Sequence, residues 1–342
     1  MTNNPLPVVF GCAGPVLSDA EVRFFREANP LGFILFGRNC VAPDQIKTLV
    51  DDLRSSIGRG DAPVLIDQEG GRVSRLKPPH WPAYPAARAF GDAARADRAA
   101  ALEAVRLNSM LIGLDLNSVG ISVNCAPTID VPIPSAHEMI GSRAYGPDPV
   151  LVSEMGRAVC EGLFDANVLP VIKHLPGYGR AMVDSHLALP VIAEGLDQLD
   201  ATDFVPFRAL ASMPWGMTAH ALVRVVDPDH PATLSPFVIN DVIRQRIGFK
   251  GILITDDLSM NALTGEVSAR VTQALAAGCD LALHCNGDMA EMESIAKVAR
   301  PMSSRLLSDI KAAERIRLGR ARPDIDPEWA RGRIREILGS SS

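Results

Sequence analysis

Eight short apolar runs, each followed by a stretch with helical spacing, set the strongest limit on how this chain can fold. The runs cover residues 7–12, 32–36, 63–67, 122–126, 168–173, 215–220, 251–256 and 280–286. Several are apolar at every position instead of every second one, as expected of parallel strands covered on both faces. Between them the pattern predicts a helix beginning after Ser18, whose Asp19 and Glu21 suit a first turn. Further helices are expected over about 42–57, 95–112, 149–165, 204–211, 237–246 and 267–277. An open doubly wound sheet would have similar strands. The count of eight, with no Gly-x-Gly-x-x-Gly turn after the first strand, points instead to an α/β fold of the (β/α)8 barrel type. A helical tail over about 304–337 is expected to pack on that barrel.

Length alone allows two domains at 342 residues, but no Pro/Gly/Ser linker, repeat or composition break divides the chain, so 1–342 reads as one catalytic domain. Hydrophobic residues make up 47%, which supplies a sizeable core and excludes wholesale disorder. With 34 Lys plus Arg against 40 Asp plus Glu, the net charge of −6 disfavours nucleic acid as a partner, because a phosphate-backbone binder carries a basic stripe. The start of the chain lacks a cationic run followed by an apolar region, and no stretch approaches the roughly 18 apolar residues of a membrane span. Cys12, Cys40, Cys125, Cys160, Cys279 and Cys285 are scattered without a C-x-x-C pair and read as buried, reduced thiols. A cytoplasmic, monomeric protein is expected.

In a (β/α)8 barrel the chemistry lies where strands end, so polar residues closing an apolar run are the candidates. Here these are Asp67, Asp130, Lys173 with His174, His220, Asp256 and Asn286. Singly, each is as readily a helix cap or a satisfied structural histidine. Their convergence on one rim lifts the set above that reading. The stretch from Asp67 to Arg75 mixes carboxylates, two glycines and two arginines. An ionised Asp67 accepts hydrogen bonds only and suits vicinal sugar hydroxyls, and Arg75 can donate to a ligand oxygen. Glu69 and Arg72 in the same stretch also fit an Arg–carboxylate clamp that holds the loop.

Lys173-His174-Leu175-Pro176-Gly177-Tyr178-Gly179 opens a long loop in which Asp184-Ser185-His186 follows. A carboxylate two residues before a histidine can accept its N–H and raise the imidazole pKa, which makes a general acid/base; an incidental Asp-x-His on a surface loop is the plainer alternative. Asp256 and Asp257 close the seventh strand. Successive side chains of an extended backbone point opposite ways, so only one can face the barrel axis. Asp256 is the choice, with Asp257 bracing a loop or helix start, and a carboxylate held here could attack an electrophilic carbon.

Taken together these pieces resemble the bacterial β-N-acetylhexosaminidases of glycoside hydrolase family 3, of the peptidoglycan-recycling type. The matching segments stand in order: Gly32 to Asn39, Ile66 to Val73, Ala126 to Val131, Gly141 to Tyr145, Lys173 to Gly177, Asp184 to His186, Met217 to His220, Pro231 to Ser235, Thr255 to Met260 and Ala277 to Asp280. The resemblance implies a (β/α)8 barrel hydrolase, with Asp256 as nucleophile and His186, oriented by Asp184, as general acid/base. By the same matching, Asp67, Arg75, Arg143, Lys173 and His174 bind the N-acetylglucosamine unit, and His220 lies beside that pocket. The implied activity is a retaining exo-β-N-acetylglucosaminidase acting on a small muropeptide, with neither cofactor nor metal. One departure stands out. The family usually reads Pro-Gly-His-Gly followed by Asp-Thr where this chain has Pro176-Gly177-Tyr178-Gly179-Arg180-Ala181.

Three other readings use the same residues. A barrel metallohydrolase would take His174, His220 and Asp256 as zinc ligands. A phosphorylase would use phosphate as acceptor, since a neutral histidine repels it less than a second carboxylate does. A non-catalytic muropeptide sensor would require loss of Asp184, His186 or Asp256, and all three are present.

Overall fold

The computed structural model describes residues 4–135, 137–183, 188–320 and 322–339. Eight parallel strands close into a barrel: β1 (Leu6–Gly11), β2 (Pro30–Leu35), β3 (Val64–Ile66), β4 (Val123–Asn124), β5 (Leu169–Leu175), β6 (Trp215–Thr218), β7 (Ile252–Asp257) and β8 (Leu281–His284). Neighbours follow chain order, and β1 closes the ring by pairing with both β2 and β8, with Val9 opposite Gly32 on one side and Leu283 on the other. Every residue of β1, β2 and β5 is buried, which is why these runs lack alternation.

The helices form where local signals ask for them. Asp19–Ala28 starts at a capping box, in which the Ser18 hydroxyl accepts the Glu21 N–H and the Glu21 carboxylate accepts the Ser18 N–H. Pro43–Ser56, Pro149–Asp165 and Val267–Ala277 lie within two residues of expectation. The helix expected over 95–112 instead runs from Arg98 to Ser118. Gly113, one residue past the expected end, allows close approach: a Cβ on it would lie 2.6 Å from that of Ala166. The 237–246 segment is a π-helix, Val238–Arg246. Short helices at Ala87–Ala93 and Leu196–Ala201, and the longer Met289–Val298, were not expected.

The tail forms two helices, Ser304–Leu318 and Pro327–Leu338. Arg333 grips Glu103 on the Arg98–Ser118 helix through two bonds of 3.1 and 2.9 Å, and Ala330 and Ile334 join an apolar core that reaches back to Leu6. Among the described residues, no helix is long and apolar enough to cross a membrane. Cys40 is only partly buried, against expectation; the other five cysteines are buried, and all six are free thiols.

Candidate active site

A cavity of about 290 Å3 opens at the carboxyl ends of the strands. That is close to the lower end of small-ligand pockets, roughly 300 Å3, and suits one sugar ring. Asp67, Glu69, Arg75, Arg143, Lys173, His174, Tyr178 and Asp256 all line it.

One wall is a charge cluster. Lys173 Nζ lies 2.8 Å from Asp67 Oδ1 and 2.8 Å from Glu69 Oε1. Arg143 forks onto Glu69 with bonds of 2.9 and 2.7 Å, and Arg75 sits 3.2 Å from Asp67 with its guanidinium over the Phe36 ring. Burial opposes the charge on both carboxylates. At Glu69 it is outweighed by Arg143 and Lys173, and at Asp67 by Lys173 and Arg75, so both carboxyls are held below the usual range. Burial likewise works against the Lys173 ammonium, but the two carboxylates prevail and it stays protonated. Three cations against two carboxylates leave donors for a ligand's oxygens. The loop that places Asp67 is held by Gln68, whose side chain accepts from the Arg75 and Leu76 N–H groups and donates to the Leu76 carbonyl.

A second wall follows from Asp130, which is fully buried. It accepts from His174 Nδ1 at 2.7 Å and from the Tyr178 backbone N–H at 2.6 Å. With its Nδ1–H donated to Asp130, His174 keeps Nε2 for the cavity. The Tyr178 ring packs 5.7 Å from the His174 ring. The Lys173–His174 peptide is cis.

At the end of β7 the two aspartates divide. Among the described residues, the Asp256 carboxylate has one hydrogen-bond donor, the N–H of Asp257 at 2.8 Å, and no cation. Asp257 is committed to structure, accepting from Ser259 N–H, Ser259 hydroxyl and Cys285 N–H at 3.0, 2.7 and 3.1 Å. His220 does not line the cavity. Its Nε2 reaches the Asp257 carbonyl at 2.9 Å and its Nδ1 the Thr233 hydroxyl at 2.8 Å. Burial pushes its pKa down, more than the nearby Asp256 raises it. His220 therefore stands beside the pocket as a neutral brace behind the aspartates, giving the Asp257 carbonyl a donor where water cannot reach.

Other expectations resolve in particular ways. Glu69 does form a clamp, but with Arg143, 74 residues away, while Arg72 donates to the Glu138 and Met139 carbonyls. Asn286 braces Glu291 and the Asp288 N–H and stays out of the cavity. Asp184 and His186 lie outside the described residues. Among the described residues no group of three or more His, Cys, Asp or Glu is arranged to hold a metal, and His220 has neither ring nitrogen free for one. Sequence reasoning missed Arg180, which is buried with its guanidinium on Asp203 and Glu194. Its one visible signal was the departure from the family's usual loop.

The model for the glycosyl hydrolase family 3 N terminal domain matches residues 18–316. A β-hexosaminidase from Methylococcus capsulatus is 36% identical over 316 residues, 90% of this chain and 92% of that one. The crystal structure of NagZ from Neisseria gonorrhoeae in complex with N-trifluoroacetyl-D-glucosamine is similar at a TM-score of 0.87 and 27% identity, over 98% of this chain and 99% of that one. A family 3 β-N-acetylglucosaminidase from a Paenibacillus species is similar at 0.77 and 30% identity, over 98% of this chain and 62% of that one.

Proposed function

This chain belongs to glycoside hydrolase family 3 and is a β-hexosaminidase-type glycoside hydrolase; from that premise we propose a retaining exo-β-N-acetylglucosaminidase. It removes non-reducing terminal N-acetylglucosamine from peptidoglycan fragments such as GlcNAc-1,6-anhydroMurNAc peptides, in cell-wall recycling. The observation that carries the reading is the contrast inside one cavity. Asp67 and Glu69 are each held by two cations and Asp257 by three hydrogen bonds, whereas among the described residues Asp256 has no cation and a single donor, the Asp257 N–H.

In this mechanism Asp67, Lys173, Arg143 and Arg75 hold the sugar's hydroxyl and N-acetyl oxygens, converting remote binding into placement at the anomeric carbon. Asp256 attacks that carbon while His186, protonated and oriented by Asp184, donates to the departing oxygen. Neutral His186 then activates water, which releases the sugar with its β configuration. Retaining glycosidases usually pair two carboxyls about 5–5.5 Å apart. Here the second role goes to a histidine on the loop after β5. The reading takes 1–342 as one catalytic domain, monomeric and cytoplasmic, and needs neither metal nor cofactor.

The test is release of 4-nitrophenol from its β-N-acetylglucosaminide. D256A should abolish it, and near-wild-type release would remove Asp256 as nucleophile. H186A should lose far more kcat/KM on chitobiose than on the aryl glycoside. EDTA should leave activity unchanged, and product analysis with phosphate present separates hydrolysis from phosphorolysis.

A further inference from the structure

The loop after β5 is tied down in a way that the mechanism above does not use. Its first arm is buried from Pro176 to Ala181, then emerges at Met182 and Val183. Backbone bonds pin that arm: Ile133 N–H donates to the Gly179 carbonyl at 3.2 Å and His137 N–H to the Ala181 carbonyl at 2.8 Å. Gly179 lies so close to its neighbour that a Cβ there would meet the Val131 carbonyl at 1.9 Å. The returning arm is pinned as well, by parallel pairing of Val191–Ile192 with Leu222–Val223.

Arg180 joins the two arms. Its Nε donates to Asp203 at 2.8 Å, and its two terminal nitrogens to Glu194 at 3.3 Å and the Thr202 hydroxyl at 2.9 Å. The side chain is 7% exposed and Asp203 is 2% exposed. Asp203 also backs the turn itself, its Cβ 3.1 Å from where a Cβ on Gly177 would stand. A guanidinium on three acceptors fixes orientation as well as distance, which an ammonium on a flexible stem does not.

We propose that Arg180 is a positioning residue for the reaction: its fork onto Asp203, Glu194 and Thr202 fixes the point from which the chain continues into Asp184-Ser185-His186. It touches no reacting atom. The inference rests on the proposed acid/base role of His186, and it ties the family departure at 178–181 to catalysis. Burial raises the Asp203 carboxyl pKa despite Thr202 and Arg180, and removing Arg180 takes away one of the groups that hold it down.

The test compares R180M, R180K and the double variant R180M/D203L with wild type, on chitobiose and on the 4-nitrophenyl glycoside. Displacing a general acid by about 1 Å costs on the order of 100-fold. R180M should therefore lose roughly 10- to 100-fold in kcat/KM on chitobiose, where protonation of the leaving group matters, and under about threefold on the aryl glycoside. R180K, charged but without the fork, should fall between. R180M/D203L should regain melting temperature without regaining chitobiose turnover, which separates positioning from mere support of the fold. Equal losses on both substrates, or recovery of chitobiose turnover in the double variant, would overturn the proposal. H186A is the control: selective loss there without selective loss in the Arg180 variants sinks this inference alone, whereas no selective loss in H186A sinks the reading it rests on.

Discussion

Glu69→Gln isolates the charged wall. The substitution keeps volume but strips the carboxylate from Arg143, whose side chain is 12% exposed and whose remaining side-chain acceptor is Thr128 at 3.4 Å. Lys173 keeps Asp67. Breaking a buried pair from one side leaves an uncompensated charge and costs about 3–5 kcal/mol. Unfolding entropy of about 2.1 cal/mol/K per residue gives roughly 0.7 kcal/mol/K for 342 residues, so the melting temperature should fall by about 4–7 °C in a calorimetric scan. The same change lets two cations shift away from the sugar's oxygens. A charged hydrogen bond is worth about 1.5–3 kcal/mol, so kcat/KM should drop roughly 10- to 150-fold. The double variant E69Q/R143M removes both charges and should recover most of the lost stability while staying as inactive. Additive melting losses in the double variant, or wild-type kcat/KM in E69Q, would refute the reasoning.

Three further outcomes follow from the same geometry. D257A should lower stability by about 2–4 kcal/mol, because it orphans the Ser259 and Cys285 N–H groups, yet keep measurable turnover where D256A keeps none; equal inactivity would show that the two aspartates were wrongly divided. H220A withdraws the donor from the Asp257 carbonyl and should reduce kcat with little change in KM, since His220 does not line the cavity; a rise in KM alone would place it in the binding site. The pH dependence has a definite sign. The depressed pKa of His220 favours the neutral ring, so its contribution is complete above the ordinary value near 6.5 and is lost progressively as pH falls. Asp67 and Glu69 are depressed too, and their stabilisation is present above about pH 4 and lost below it. Chemical denaturation from pH 8 to 3 should therefore show stability falling in both windows, with the lower one reduced in E69Q.

The barrel was legible because each strand is a local apolar run, and burial on both faces writes itself into consecutive residues. Boundaries were less so where a residue serves a distant partner: the expected helix stopped short of Gly113, a mid-helix glycine that makes room for Ala166. The same holds in the site. Strand ends pointed to Asp67, Lys173, His174 and Asp256 without any pairing information, and all four line one cavity. What the sequence hid is long-range choice among equivalent partners, such as Glu69 taking Arg143 over nearby Arg72, or Arg180 reaching Asp203 and Glu194. A histidine closing a strand, such as His220, can point to the axis or behind the next strand, and only the fold decides.

The most direct measurement is the site of the covalent intermediate. Incubation with a 5-fluoro-N-acetylglucosaminyl fluoride, acid quench and peptide mass spectrometry should place one sugar on the Asp256 side chain, and D256N should carry none. An adduct on any other residue, or release of the α-configured sugar as first product, would contradict the account.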